Sequence, residues 1–437
     1  MNDIALPRPT EAAGVGPDRP KGLSDDELLE LVQRQTFRFF WDGAHPVSGL
    51  ARDRTNVQDK YGPEAMAIGG TGFGAIAIVV AVERGWVTRD EAVDQLLKMV
   101  KFLHLGDHYH GVLPHFMHGT TGKTIAFSRK DDGSDVVEMA FLIGGLLVCR
   151  QYFDGDGKEA ELRDRINTLW TQTEWDWHTR GGRHIMYWHW SPNQGWGMDF
   201  EIRGWNECLL TYVLGASSPT YAIHKEAYHR GWAMGRVFKN EREYYGIKLP
   251  LGPDFGGPLF WTQYCFMMLD PNGLKDRYAD YWEQNTAHTL INREHCVLNP
   301  NGFEGYGRHC WGLTSSDNHK GYAAHQPRRD LGVITPTAAL SAFPYTPDHS
   351  MEALRHFYDE RGDELWKEYG FVDAFNPTEN WVAETHLSID QGPIVGMIEN
   401  YRTGLIWKLF MSCPEVKEGL KKLDFDSPHM HGQAAIS

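Results

Sequence analysis

Lys130-Asp-Asp-Gly-Ser-Asp-Val-Val-Glu-Met-Ala-Phe-Leu-Ile-Gly-Gly-Leu-Leu-Val-Cys-Arg150 is the stretch on which the fold turns. Gly133-Ser134 supplies a turn and a cap, so a helix is expected to begin there, with Asp135 in its first turn and Glu138 three residues on. That spacing puts both carboxylates on one face. From Met139 to Val148 the chain is apolar on every side, and a helix that is hydrophobic all round belongs inside a large protein. The two carboxylates then stand at the mouth of a buried helix. The plain alternative is that they complement the positive end of the helix dipole and do nothing more.

The rest of the chain repeats this logic. Ser24-Asp-Asp-Glu27 reads as a capping box, and Leu28, Leu31, Val32, Phe37 and Phe40 follow at helical spacing. Ala65 to Arg84 reads as a Gly-rich apolar helix. Its run Gly69-Gly-Thr-Gly-Phe-Gly74 lacks GxGxxG spacing and no strand is expected ahead of it, so close helix packing explains it better than a nucleotide. Arg89 to Leu105 is amphipathic and belongs outside. Glu159 to His178 is the outer partner of the opening helix. Ile202 to Ala216 is a second internal helix, carrying Glu207, and a buried lone Glu is costly unless paired or functional. Further outer and inner segments are expected over Ala222–Phe238, Pro258–Leu269, Tyr278–Leu298, Thr335–Ala342 and His349–Arg361. The last helix opens at Ile389-Asp-Gln-Gly-Pro393 and runs to about Met411, with Pro393 in its first turn and Asp390 just ahead of it.

About a dozen helices alternating between all-apolar and amphipathic predict an all-α chain folded as an α/α toroid, in which loops at one mouth carry function. Asp135, Glu138, Glu207 and Asp390 would converge there. Gly181 to Trp196 alternates aromatic and polar residues as in a short β-hairpin at that mouth. Trp188, Trp190 and Trp196 cannot all be buried in so short an excursion, so some should face a ligand. In the polar loop from Ser48 to Asn56, Arg52, Asp53 and Arg54 either line the site or pair with one another.

Composition narrows the partners. With 437 residues the chain is either two domains or one large closed architecture. A net charge of −15 without a basic run argues against nucleic acid and anionic membranes and suits a neutral ligand. Aromatics make up 13% of residues, with 16 Trp, and flat amphipathic rings are what sugar rings stack on. The six cysteines show no CxxC spacing, so neither a zinc site nor a disulfide framework is expected. Residues 1–22 are polar and rich in Pro and Gly, without the apolar core of a signal peptide, and no segment reads as a membrane span. The expectation is a cytoplasmic protein, or a periplasmic one if a leader has been trimmed. Residues 1–22 are expected to be disordered, 23–425 to form a single catalytic barrel, and 426–437 to be a tail.

Several acids around an aromatic-lined cleft, without a metal motif, fit glycoside hydrolysis, which needs one protonated carboxyl and one ionised carboxylate. Burial would raise the pKa of Glu207, as a general acid requires, while a carboxylate at a helix N-terminus is held ionised. The competing reading is an acidic cluster that binds sugar hydroxyls or closes the barrel by hydrogen bonds. HExxH, GxSxG and P-loop motifs are absent and the histidines show no ligand spacing, so no metal and no cofactor is expected.

Eight motifs carry a resemblance: Gln35–Trp41, Arg52–Asn56, Asp132–Glu138, Gly204–Cys208, Trp311–Asp317, Gly332–Ala339, Ile389–Pro393 and Glu399–Gly404. Together they resemble the bacterial "glucoamylase-like" proteins of glycoside hydrolase family 144, from about Ser24 to Met411. The resemblance implies an (α/α)6 barrel acting on β-1,2-glucans, either as an inverting endo-β-1,2-glucanase or as a relative that releases sophorose. It implies Glu207 as the acid and Asp135, Glu138 and Asp390 as further carboxyls important for activity, with the one that activates water left open. Arg54, Trp188, Trp196, Trp311, Asp317 and Glu399 are expected to bind substrate. Family members are commonly exported, whereas this chain shows no leader, which leaves a role on short glucans inside the cell open. A retaining transglycosylase domain of cyclic β-1,2-glucan synthases resembles the same fold, so transfer is the near alternative. A non-catalytic glucan-binding barrel is the other. Carboxyls about 5 Å apart imply retention, and about 6.5–9.5 Å implies inversion.

Overall fold

Ser24 opens the first helix: its hydroxyl accepts from the Glu27 N–H, and the Glu27 carboxylate accepts from the Ser24 N–H at 2.8 Å. This computed structural model describes residues 19–55, 62–235 and 238–431. Helix α1 (Asp25–Trp41) is followed by α2 (Ile68–Glu83), α3 (Arg89–Leu105), α4 (Val136–Tyr152), α5 (Lys158–Gln172), α6 (Leu209–Ser217) and α7 (Tyr281–Leu298). Then come α8 (Pro336–Leu340), α9 (Pro347–Arg355), α10 (Gly362–Leu365), α11 (Ser388–Thr403), α12 (Leu405–Ser412) and α13 (Pro414–Lys422).

The all-apolar segments form the inner ring and the amphipathic ones surround it. Every residue from Ile68 to Ala81 in α2, from Val136 to Arg150 in α4 and from Leu209 to Ser217 in α6 is buried. Helix α2 packs against α4 and α11, α4 against α6, and α11 against α8, with the 3₁₀ turns Leu259–Thr262 and Cys265–Met267 completing the circuit. Outside it, α1 lies on α2 and α11, and α3 on α5. The fold is an α/α toroid, as the alternation predicts. At the end of the ring where α4 terminates, α12 and α13 pack beneath α4 and α6, and Arg150 of α4 pairs with Glu415 at 2.8 Å.

The glycine run of α2 serves close packing. A Cβ on Gly145 would lie 2.1 Å from the Gly72 carbonyl oxygen, and one on Gly72 would lie 2.3 Å from the Phe141 carbonyl oxygen. Helices α2 and α4 therefore touch backbone to backbone, which only glycine permits.

Several elements depart from expectation. A strand does precede α2: β1 (Ala65–Ala67) pairs with β2 (Phe116–His118), which pairs with β3 (Thr124–Ile125), all antiparallel. Within Gly181–Trp196 the self-pairing is confined to one antiparallel bridge, Ser191 to Gly195. Beyond that tight turn, β5 (His189–Trp190) pairs instead with β4 (Ser134–Asp135), placing Ser134 opposite Trp190 and Asp135 opposite His189. The hairpin of β6 (Lys239–Tyr244) and β7 (Ile247–Leu251) gave no sequence signal, because Tyr245-Gly246 supplies both positive-φ turn positions without the usual Asn or Asp. The outer helix expected over Ala222–Phe238 is a π turn at Ala227–Gly231 and a 3₁₀ turn at Trp232–Met234 among the described residues. Positive-φ Gly256 and Gly257, with Pro258, likewise leave only 3₁₀ turns in Pro258–Leu269. Pro393 lies inside α11 rather than in its first turn, and Gly404, at φ 67°, ends that helix before α12.

Of the expected disordered ends, 1–18 and 432–437 lie outside the described residues. Residues 19–22 and 426–431 are tied down instead: Arg19 bonds Tyr358 and Asp363, Asp426 exchanges backbone hydrogen bonds with Lys275, and His429 bonds Asp270 at 2.7 Å. Among the described residues no helix is long and apolar enough to cross a membrane.

Candidate active site

The N-terminal ends of the inner helices meet at one mouth. The backbone N–H of Gly69, at the head of α2, donates to Oε2 of Glu138 on α4 at 2.7 Å. Thr337 of α8 donates to the Asp390 carbonyl of α11 at 2.7 Å, and Cys265 donates to the Glu207 carbonyl at 2.7 Å. The Tyr264 ring packs against Phe73 of α2 and Phe141 of α4 while its hydroxyl reaches Asp390 Oδ1 at 3.4 Å.

Asp135 caps α4 rather than sitting in its first turn. Its Oδ1 accepts the Val137 and Glu138 N–H groups at 3.0 Å each and the Trp188 indole N–H at 2.9 Å, and its Oδ2 accepts His115 Nδ1–H at 2.8 Å. Burial alone would push this carboxyl up. The His115 hydrogen bond, foremost among the favourable contacts, reverses that and holds Asp135 below the ordinary aspartate range. Burial works against the charge on His115 too, but Glu138, Asp135 and Asp131 outweigh it and raise the imidazole to about 10. Both shifts describe one imidazolium–carboxylate pair.

Glu138 is raised by burial, with Asp135 adding to it and His115 opposing. Glu207 lies not within a helix but on the turn Gly204–Cys208 ahead of α6, where Gly204 adopts φ 79°. Burial, reinforced by Glu138 and Asp135, pushes it up to about 7 against its own backbone N–H and the Trp261 indole. Asp390, in the first turn of α11, is raised by burial and by Asp317. Of the four expected acids, one is thus kept ionised and three are pushed towards the protonated form.

Arg54 pairs with Asp53 at 2.9 Å and with Asp317 at 2.7 Å, lies over Tyr322, and Asp317 also accepts the Thr385 hydroxyl at 2.6 Å. Arg52 turns away to the Gly43 and Pro63 carbonyls. Trp188 is anchored to Asp135, and the half-buried Trp196 stands against Trp177, Tyr187 and Arg180.

Two expected substrate-binding residues lie elsewhere. Trp311 is 0% exposed and packs in the core with Ile334 and Ala338, because the chain dives inward there before Asp317 returns to the mouth. Glu399 sits nine residues along α11 from Asp390, about 13 Å down the axis, towards the opposite end. There it accepts two bonds from Arg84, at the C-terminal cap of α2, at 2.9 and 3.0 Å, with Gln33 and Thr403 beside them. It is a structural ion pair.

His115, Asp131, Tyr264 and Asp373 were not singled out by any motif or spacing. Asp373 alone left a trace, as the single acid in the apolar run Phe371-Val-Asp-Ala-Phe375. His115, Asp131 and Asp135 bring ligand atoms within 4.8 Å of one another, a spacing that would suit a cation and that also suits the charged His115–Asp135 hydrogen bond found there.

An all-helical ring whose carboxyls stand at the heads of its inner helices belongs to the class of α/α-toroid glycoside hydrolases. Residues 199–414 match the family model described as "Putative glucoamylase". An exo β-1,2-glucooligosaccharide sophorohydrolase (non-reducing end) of Parabacteroides distasonis is 44% identical over 423 residues, and this chain spans 58% of the length of that curated relative, with 92% of the chain covered. A crystal structure from Bacteroides uniformis, described as a "putative glucoamylase", is 60% identical with a TM-score of 0.92, covering 94% of this chain and 100% of that one. An endo-β-1,2-glucanase of Chitinophaga pinensis, solved with sophorotriose and glucose, is 51% identical with a TM-score of 0.91, covering 93% and 100%. The chain belongs to this glucoamylase-like family, glycoside hydrolase family 144.

Proposed function

We propose that the protein hydrolyses β-1,2-glucosidic linkages in β-1,2-glucan or its oligosaccharides, through one barrel domain spanning about residues 23–425. The observation that carries this is the split in proton affinity at the mouth: Asp135 is held ionised by four donors while Glu207, on a neighbouring element, is raised to about 7. Carboxyls whose surroundings push their pKa values apart are what acid–base cleavage of a glycosidic bond uses. Glu207 protonates the departing glucosyl oxygen as the anomeric carbon gains oxocarbenium character. An ionised carboxylate of the Asp135, Glu138 and Asp390 group orients and deprotonates the attacking water, giving inversion. Trp188 and Trp196 offer ring faces to the sugars, and Arg54 with Asp317 bonds hydroxyls at the rim. The substrate follows from the relatives, two of which are named for acting on β-1,2-glucans.

The test is product analysis with linear β-1,2-glucan beside β-1,3-glucan and starch, following the anomeric protons by NMR. The reading expects sophoro-oligosaccharides or sophorose from β-1,2-glucan alone, released as the α-anomer, and none from Glu207→Gln. Release of the β-anomer, or products only of transfer, would move the protein to the retaining transglycosylases.

A further inference from the structure

Asp373 and Asp390 approach each other from different parts of the chain. Asp390 rides in the first turn of α11, and its backbone carbonyl is fixed by Thr337. Asp373 lies in the extended segment Phe371–Phe375, which is held by its own N–H bonding the Thr385 carbonyl at 2.8 Å and by the Ile334–Phe375 bridge. Both are buried, at 3% and 2% exposure, and their side chains are in hydrogen-bonding contact. Oδ2 of Asp373 accepts the Asp317 N–H at 2.6 Å, and Oδ1 of Asp390 accepts the Tyr264 hydroxyl. The other oxygens, Asp373 Oδ1 and Asp390 Oδ2, are buried and find no donor among the described residues. Two orphaned carboxyl oxygens on contacting side chains are satisfied together by one proton between them.

We propose that Asp373 is a positioning residue, holding Asp390 through a single proton shared by the two carboxyls, so that the pair enters the reaction as one acid with one negative charge. This rests on the reading that Asp390 belongs to the catalytic group. The surroundings favour it. Asp317 adds negative charge, Arg54 supplies the compensating cation, and the phenol of Tyr264, kept neutral by burial, adds none. Like charges in contact and out of water do not both ionise, and both carboxyls shift upward in the fold. The shared proton fixes the rotamer of Asp390 and keeps the pair at a single negative charge.

Two measurements on the full chain test it. In protein labelled with ¹³C at the aspartate carboxyl carbons, NMR titration should show two coupled resonances that share a single proton through neutral pH. Asp390→Asn and Asp373→Asn should each abolish the shared-proton behaviour of the surviving partner, which then ionises as an ordinary carboxyl. This readout needs no activity, so it stands apart from the assignment of the reaction. Two fully ionised carboxyls at neutral pH, or an unchanged resonance in Asp390→Asn, would overturn the pair, and the wild type with Asp390→Asn suffices if Asp373→Asn does not fold. On β-1,2-gluco-oligosaccharide, folded Asp373→Asn should keep KM within about twofold and move one limb of the kcat profile to lower pH by about one unit. A fall in kcat with an unmoved profile would reduce Asp373 to a packing role and overturn its part in positioning.

Discussion

Replacing Glu207 by Gln keeps the shape of the side chain and removes its transferable proton. In the fold this carboxyl is raised from 4.5 to about 7. At pH 7 about half of the molecules therefore carry the acid form, against about one in 300 for an unshifted glutamate, a difference of about 3 kcal/mol in acid availability. General acids contribute about 10²–10⁴-fold, and a sugar alkoxide is too poor a leaving group to depart unprotonated, so kcat on β-1,2-gluco-oligosaccharide should fall about 10³-fold, or about 4 kcal/mol. An aryl β-sophoroside, whose phenolate leaves unaided, should lose about tenfold or less. With Glu207 as the proposed acid, activity requires its protonated form, so the wild-type kcat should decline as pH rises through about 7, and that limb should vanish in the variant. Equal losses on both substrates, or an alkaline limb that survives the substitution, would refute the assignment.

His115→Asn should free Asp135 to rise towards the ordinary range, moving the acid limb of kcat to higher pH by about one unit, as read from pH–rate profiles. The stability change has a defined window. Asp135, depressed in the fold, stabilises above its unfolded value and loses that as pH falls through its folded one. His115, raised to about 10, stabilises below its usual 6.5 and loses that as pH rises through about 10. Denaturant melts should show the variant weaker by about 2 kcal/mol at neutral pH, with the gap closing towards both extremes. Glu399→Ala should cost about 3 kcal/mol in urea unfolding, by stranding Arg84, while kcat/KM of the folded protein stays within about twofold. Gly145→Ala puts a methyl 2.1 Å from the Gly72 carbonyl and should cost about 2–3 kcal/mol. Its kcat should also drop, because α4 carries Asp135 and Glu138.

Much of the toroid was legible because its signals are local. The box Ser24–Glu27 starts α1 where capping chemistry places it, the amphipathic run from Arg89 to Leu105 coincides with α3, and the all-apolar run Met139–Val148 reads as an inner helix at sight. The acids Asp135, Glu138, Glu207 and Asp390 were legible as charges that an apolar setting would not tolerate without purpose. What escaped depends on partners distant in the chain. His115 stands 20 residues from Asp135, and the Asp373–Asp390 contact joins segments that share no periodicity. Trp311 and Glu399 were misplaced for the converse reason: each lies close in sequence to a mouth residue, yet the direction of the backbone carries it into the core or along α11.

The backbone contact between Gly72 and Gly145 gives the mouth a fixed jaw and an adjustable one. Asp135 and Glu138 travel with α4, which is clamped to α2 without an intervening side chain, so neither shifts unless the ring itself is deformed. Glu207 hangs instead from the Gly204–Cys208 turn, secured by the left-handed Gly204 and the buried Trp205. The gap between Glu207 and the carboxyls of Asp135 and Glu138 is thus set by a five-residue bracket rather than by the barrel. Altering the bracket at Asn206, which is not part of the core, would retune the spacing on which stereochemical outcome depends while Trp205 and Cys208 keep their places in the core.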